Sequence, residues 1–269
     1  MRIRVGYELT YECAQPTFMI LVLNVHYSRA PDLELPDHII TAPPMPLAGY
    51  RDSFGNWCTR IVAPAGRITI SADAVVRDGG QPDAVPLGAS QTPVERLPDD
   101  ALIFLLPSRY SETDRLMDTA WALFGTTAAG WPRVQAICDY VHARVKFGYE
   151  HASVFRTAHS AHEEMRGVCR DFAHLALTLC RCMNIPARYC TGYLGDIGVP
   201  PSDSPMDFSG WFEVFLDGQW HTVDARHNTP RIGRILIARG RDAADVAIST
   251  TFGPNRLTGF KVWTDAIDA

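Results

Sequence analysis

Lysine is nearly missing from this chain. Of 25 basic residues among 269, only Lys146 and Lys261 are lysines. The acidic residues number 30, leaving a net charge of −5. So small a charge, with no basic block, offers no electrostatic footprint for nucleic acid or an anionic membrane. No apolar run reaches the roughly 20 residues needed to cross a bilayer, and the opening "MRIRVGYELTYEC" has no secretory apolar core. The seven cysteines are odd in number and scattered, so they form no disulfide framework and fit a reducing cytoplasm. The sequence also lacks zinc-ligand spacing, a phosphate-binding glycine loop, a serine-hydrolase elbow and an acidic calcium loop. No metal and no organic cofactor is therefore expected.

Material for a core is plentiful, since 46% of the residues are hydrophobic. Ile3, Val5, Tyr7, Leu9, Tyr11 and Cys13 alternate with Arg2, Arg4, Glu8, Thr10 and Glu12, the period of a half-buried strand. "PTFMILVLNVHYS" is mostly apolar and predicts a strand buried on both faces. "DSFGN" is a turn, and "RIVAPAGRITISADAVV" supplies more strand. Residues 1–95 are thus expected to form a β-rich, sandwich-like domain without a catalytic cluster. A Gly/Pro/Asp-rich linker leads into a second domain, 96–269. There, Ser111 and Asp114 have capping-box-like spacing before a helix whose face carries Met117, Ala120, Trp121 and Phe124. Pro132 opens another helix, with Val134, Ile137, Cys138, Val141 and Val145 on one stripe.

Phe172, Leu175, Ala176, Leu179 and Met183 predict an amphipathic helix that begins near Cys169. A thiol at a helix head meets unpaired N–H groups and the positive end of the dipole, which favour thiolate. A buried packing thiol is the plainer alternative. Cys180 and Cys182 lie about 16 Å further along, at ~1.5 Å per residue, and read as helix-end packing.

Downstream, Asp217-Gly218 separates two strand-like runs and predicts a two-residue hairpin. That turn pairs Leu216 with Gln219, Val214 with His221, Trp211 with Asp224 and Ser209 with Arg226. Ser209 and Asp224 then share a face as diagonal neighbours, roughly 7–8 Å apart. His221 falls on the other face, and His227 is offset by an odd number of residues if the strand continues that far.

These segments carry a resemblance that covers nearly the whole chain. "LLPSRY", "GVCRDFAHLALTLCRCMNIPARY", "WFEVFLDGQWHTVDARHNTPRIGR" and "IARGRDAADVAISTTFG" resemble the bacterial transglutaminase-like proteins, described as candidate cysteine proteases. The resemblance implies an α+β, papain-like core, with helices packed on an antiparallel sheet behind an N-terminal β-sandwich-like domain. It also implies acyl chemistry by a Cys-His-Asp triad. Cys169 matches the family cysteine and Asp224 the family aspartate. The family histidine stands in "HAW", where this chain reads Ser209-Gly210-Trp211.

The resemblance thus implies a thiol enzyme with a histidine-deficient triad, acting on an amide or thioester, by hydrolysis or transfer, through a Cys169 thioester. Without an imidazole, activated acyl donors such as thioesters are expected to be favoured over amides, because a thiolate leaves with less protonation than an amine. His159 and His162 in "TAHSAHEEM" are the candidate substitute bases. Trp211 and Arg226 are the candidate pocket residues. The alternative is a catalytically degenerate protein that keeps the fold for binding. The expected partner is a small molecule, a peptide or an acyl thioester. Nucleic acid and membrane are not expected, and a homo-oligomer is left open.

Overall fold

The computed structural model describes residues 1–202 and 204–268. The first strand, Arg2–Cys13, buries the six alternating residues of its inner face to 0–3% exposure. It lies between Gly66–Arg77 and the C-terminal strand Asn255–Asp268, antiparallel to both. Leu33–Leu35 and Ile40–Ala42 complete this sheet. A second antiparallel sheet runs Ser249–Phe252, Thr17–Leu21, Trp57–Ala63, Ala48–Arg51 in space. Tyr7, Leu9 and Ile70 from the first sheet join Met19, Leu21 and Ile61 from the second in one continuous core. The turn at "DSFGN" is closed by Asp52, whose carboxylate accepts from the N–H groups of Phe54 and Asn56.

Two expectations for this region change. The apolar run after Pro16 is a strand only over Thr17–Leu21; Phe18 is exposed and Ile20 only partly buried, so one face is fully buried rather than two. The two last strands, moreover, belong to the N-terminal sheets. A cut between residues 95 and 96 therefore leaves both sheets shared between the two segments.

Residues 78–93 form no regular element, as the Gly/Pro content predicts. Helices follow at Thr113–Phe124, Trp131–Arg144, Ala158–Glu164 and Cys169–Cys182. Val134, Ile137, Cys138, Val141 and Val145 are buried, matching the predicted stripe. On Thr113–Phe124 the buried stripe is Thr113, Leu116, Ala120 and Phe124, whereas Met117 and Trp121 are exposed. The capping box there is also absent: Glu112 precedes the helix without a side-chain cap, and the Ser111 hydroxyl instead accepts from Thr178 Oγ1.

The helix Cys169–Cys182 is buried on every side from Asp171 to its end, not amphipathic as its periodicity predicts. Three helices and a sheet enclose it, so even Asp171, His174, Thr178 and Arg181 are buried. Each of these residues makes at least one hydrogen bond, although His174 Nδ1 is left without a protein partner. The Arg181 guanidinium, for example, donates to the carbonyls of Ala187 and Leu106 and to Ser108 Oγ. Such satisfaction is what makes a buried charge tolerable. Asn184, in the left-handed region at φ 60°, stops the helix.

The sheet beneath this helix is antiparallel throughout, in the order Gln219–Val223, Ser209–Leu216, Ala187–Tyr193, Ile235–Gly240. The chain is thus an α+β fold with helices packed on an antiparallel sheet, preceded by a sheet-rich region. No helix among the described residues is long and apolar enough to cross a membrane.

Candidate active site

Asp217 and Gly218 both have positive φ, 51° and 79°, as a tight two-residue hairpin turn demands. The register follows as the sequence predicts: Leu216 pairs with Gln219, Val214 with His221 and Phe212 with Val223. Beyond Val223 the pairing stops. Trp211 does not meet Asp224, nor Ser209 Arg226. The chain instead folds into a turn built on Asp224, whose Oδ1 accepts the N–H groups of Arg226 at 2.9 Å and His227 at 3.1 Å. Its backbone carbonyl accepts from Asn228.

That turn moves a residue the strand parity had set aside. His227 Nδ1 lies 2.8 Å from Asp224 Oδ2, which also accepts from Arg234 Nη2 at 2.8 Å. Asp224 is therefore ligated by four donors in a nearly closed environment, its side chain 4% exposed. Burial alone would raise its pKa. The Arg234 guanidinium and His227 outweigh that effect and hold the carboxyl well below the usual carboxylate range. Arg234 is itself fixed to Asp83 at 2.7 Å, with its guanidinium 5.1 Å from the Trp211 ring.

Cys169 is the first residue of its helix and keeps part of its surface open. It opens onto a pocket of about 50 Å³, lined also by Ser209, Arg226, His227 and Tyr149 and by the segment that includes Met206 and Asp207. A volume of this size holds a few waters. The Gly210 backbone N–H faces the sulfur and favours its anion, as does Arg226. The protein mass around the sulfur wins nonetheless, and burial pushes the thiol up to about 11. The expected activation by the helix head is thus reversed. The carboxylates of Asp207 and Asp224 act in the same direction as burial.

The other predicted site residues separate into those at this pocket and those away from it. Ser209 is on its wall, with Oγ buried and unpartnered. Arg226 is there too, its guanidinium 3.8 Å from the Phe147 ring. Trp211 is not a lining residue; it is buried against Cys190 and Leu236. His159 and His162 also lie outside the pocket lining. The His162 ring packs on Tyr140, with Nδ1 3.4 Å from its hydroxyl. His159 places its backbone N–H on Glu112. His174 is held by an N–H bond from Ala243 to Nε2 and packs against the rings of Tyr110 and Tyr189.

The residue that strand parity misses is His227. The sequence signal for it is "DARHN": an aspartate three residues before the histidine, in a stretch that continues Asn-Thr-Pro, is turn chemistry rather than strand continuation. The arginines after Asp224 mostly serve structure, as Arg241 does on Asp245 and Arg239 on Glu213.

Among known proteins, residues 120–225 match the family described as the transglutaminase-like superfamily. The crystal structure of a candidate cysteine protease from Cytophaga hutchinsonii superposes with a TM-score of 0.87 at 30% identity, covering 100% of this chain and 91% of that one. An uncharacterized protein of Mycobacterium leprae is 27% identical over 217 residues, 74% of this chain and 73% of its own. An uncharacterized protein of Mycobacterium tuberculosis is likewise 27% identical, over 234 residues, 78% of this chain and 73% of its own.

Proposed function

This chain belongs to the transglutaminase-like superfamily, and from that premise we infer that it is a thiol enzyme forming a thioester between Cys169 and the acyl group of its substrate. The observation that carries the reading is the position of Cys169, at a helix head and open to a pocket whose wall includes the Ser209 end of the hairpin. The Gly210 N–H beside the sulfur supports it, since that dipole favours the sulfur anion. The acyl donor is an amide or an activated ester such as a thioester, and water or a second nucleophile releases it. Seven unpaired cysteines support a reducing compartment such as the cytoplasm.

A catalytically silent binding role is the second reading. It is favoured by the raised thiol and by the serine at the family's histidine position. One experiment decides between them. The protein is mixed with S-phenyl thioacetate, quenched, and mapped by mass spectrometry. An acetyl group on Cys169, absent in Cys169→Ala, supports the enzyme. Unmodified Cys169 in a protein that keeps its folded spectrum supports the binding role.

A further inference from the structure

An imidazole stands on the wall of the Cys169 pocket, although the hairpin position expected to supply one holds Ser209. We propose that His227 is the catalytic base and acid for Cys169, supplied by the turn after Asp224 instead of by the hairpin strand. The inference rests on Cys169 being the acyl-accepting nucleophile.

Three observations converge on His227. First, its Nδ1 donates to Asp224 Oδ2, which leaves Nε2 with a free lone pair. This is the relation an orienting carboxylate needs to hold with a catalytic imidazole. Asp224 cannot drift, because Arg234 and two backbone N–H groups hold its other lone pairs. Second, His227 is 22% exposed in its side chain and lines the same small pocket as Cys169, so both residues face one cavity. Third, Ser209 on the hairpin wall beside it is small, and its Oγ is a buried hydroxyl with no protein partner, lining the pocket.

Competing imidazoles are engaged elsewhere. His142 Nδ1 donates to the Arg226 carbonyl at 2.9 Å and braces the turn from behind. His174 is locked by Ala243, and His162 packs on Tyr140. The charges around His227 are Asp224 and Arg234 behind it, and Arg226, Arg231, Asp196 and Asp207 around the pocket.

The chemistry balances with these groups alone. His227 Nε2 takes the Cys169 proton as the sulfur bonds to the acyl carbon. The bond from that carbon to its leaving group breaks, and the imidazolium returns the proton to the departing nitrogen or sulfur. In the second half, water gives its proton to Nε2 as its oxygen bonds to the thioester carbon. The Cys169 sulfur leaves and is reprotonated, and a carboxylic acid is released. A thiol that rests protonated needs such a base at the moment of attack.

Two measurements on the full chain test the assignment. 1,3-Dibromoacetone first alkylates a thiol and then, across three carbons, a nearby imidazole. Wild-type protein is expected to yield a Cys169–His227 bridge by peptide mapping, and His227→Gln only singly alkylated Cys169. A bridge to any other residue, or no bridge in wild type, overturns the role of His227 and leaves the thiol reading standing. In the second measurement, single-turnover acetylation of Cys169 by S-phenyl thioacetate should slow by about 10²-fold or more in His227→Gln. Added imidazole should recover part of the rate in His227→Ala, and His162→Gln should match wild type. An unchanged rate in His227→Gln overturns the assignment. Absence of acetyl-Cys169 in wild type overturns both the assignment and the enzymatic reading beneath it.

Discussion

Gly210 sits where the family resemblance implies the alanine of "HAW", and the structure gives a Gly210→Ala change a defined cost. A Cβ at 210 would overlap Tyr189 Oη and come within 3.1 Å of Tyr189 Cζ and 3.5 Å of the Arg170 Cα. Tyr189 has little room to withdraw. It is 4% exposed, paired in the sheet with Phe212 and Gly240, and packed on the His174 ring at 5.0 Å. Forcing a methyl into such a site costs about 1–3 kcal/mol. For a chain of this size that lowers the melting temperature by roughly 3–10 °C. If the hydroxyl is the obstacle, Tyr189→Phe must relieve it. A double-mutant cycle of Gly210→Ala and Tyr189→Phe, read by guanidinium unfolding, should give a favourable coupling of about 1 kcal/mol. Equal Gly210→Ala costs in both backgrounds, within about 0.3 kcal/mol, would refute the steric account. The cycle also bears on any attempt to restore the family triplet. His-Ala at 209–210 should be tolerated better with phenylalanine at 189 than with tyrosine.

Other consequences are open to measurement. Arg234→Met leaves Asp83 and Asp224 without their shared cation, and it should cost about 3 kcal/mol or more of stability in guanidinium; a loss below about 1 would show that the network is not needed. The Asp224 carboxyl is held low in the fold, so its stabilisation is fully present above its ordinary value of about 3.9 and is lost as pH falls below that. Urea midpoints of wild type and Asp224→Asn should accordingly stay apart at neutral pH, begin to approach each other below about pH 4 and keep doing so at still lower pH, and parallel curves would contradict the burial and pairing described. With its thiol raised from 9.0 to about 11, Cys169 holds about 100-fold less thiolate at neutral pH than an unperturbed cysteine, and the higher nucleophilicity of a basic thiolate offsets part of this. Iodoacetamide should therefore alkylate Cys169 about 10-fold more slowly than free cysteine, and a rate at or above the free value would reveal a preformed thiolate–imidazolium pair.

Much of the fold is written locally. The alternation from Ile3 to Cys13, the Asp-Gly hairpin and the stripe from Val134 to Val145 each state their geometry within a dozen residues, and each is realised. Errors arise where a distant contact decides. Met117 and Trp121 are apolar, yet the helix rotates Leu116 inward because Phe124 and Ala120 meet the central helix from that side. The helix from Cys169 shows a stripe because its polar residues are few; it is buried throughout because partners such as Ala187, Ser108 and Ala243 reach those polar groups from other segments. At the site, Cys169, Asp224 and Ser209 stand out in sequence by motif and register. His227 does not, because strand parity is the wrong rule once Asp224 turns the chain. Nor can a sequence report that burial exceeds the helix dipole at one sulfur.

The C-terminal strand that lies against Arg2–Cys13 sets an order on biosynthesis. The first strand leaves the ribosome almost a full chain length before Asn255–Asp268. Until then only one of its edges can be covered, by Gly66–Arg77. The other edge, in a strand with one wholly apolar face, is open to any neighbouring chain for the rest of translation. Closing it joins residues from opposite ends of the sequence, a slow kind of contact to form. Maturation of this protein should therefore be limited by its last strand. Deleting residues 255–268 should raise the fraction of the protein that sediments as aggregate, even though Cys169, Asp224 and His227 all remain.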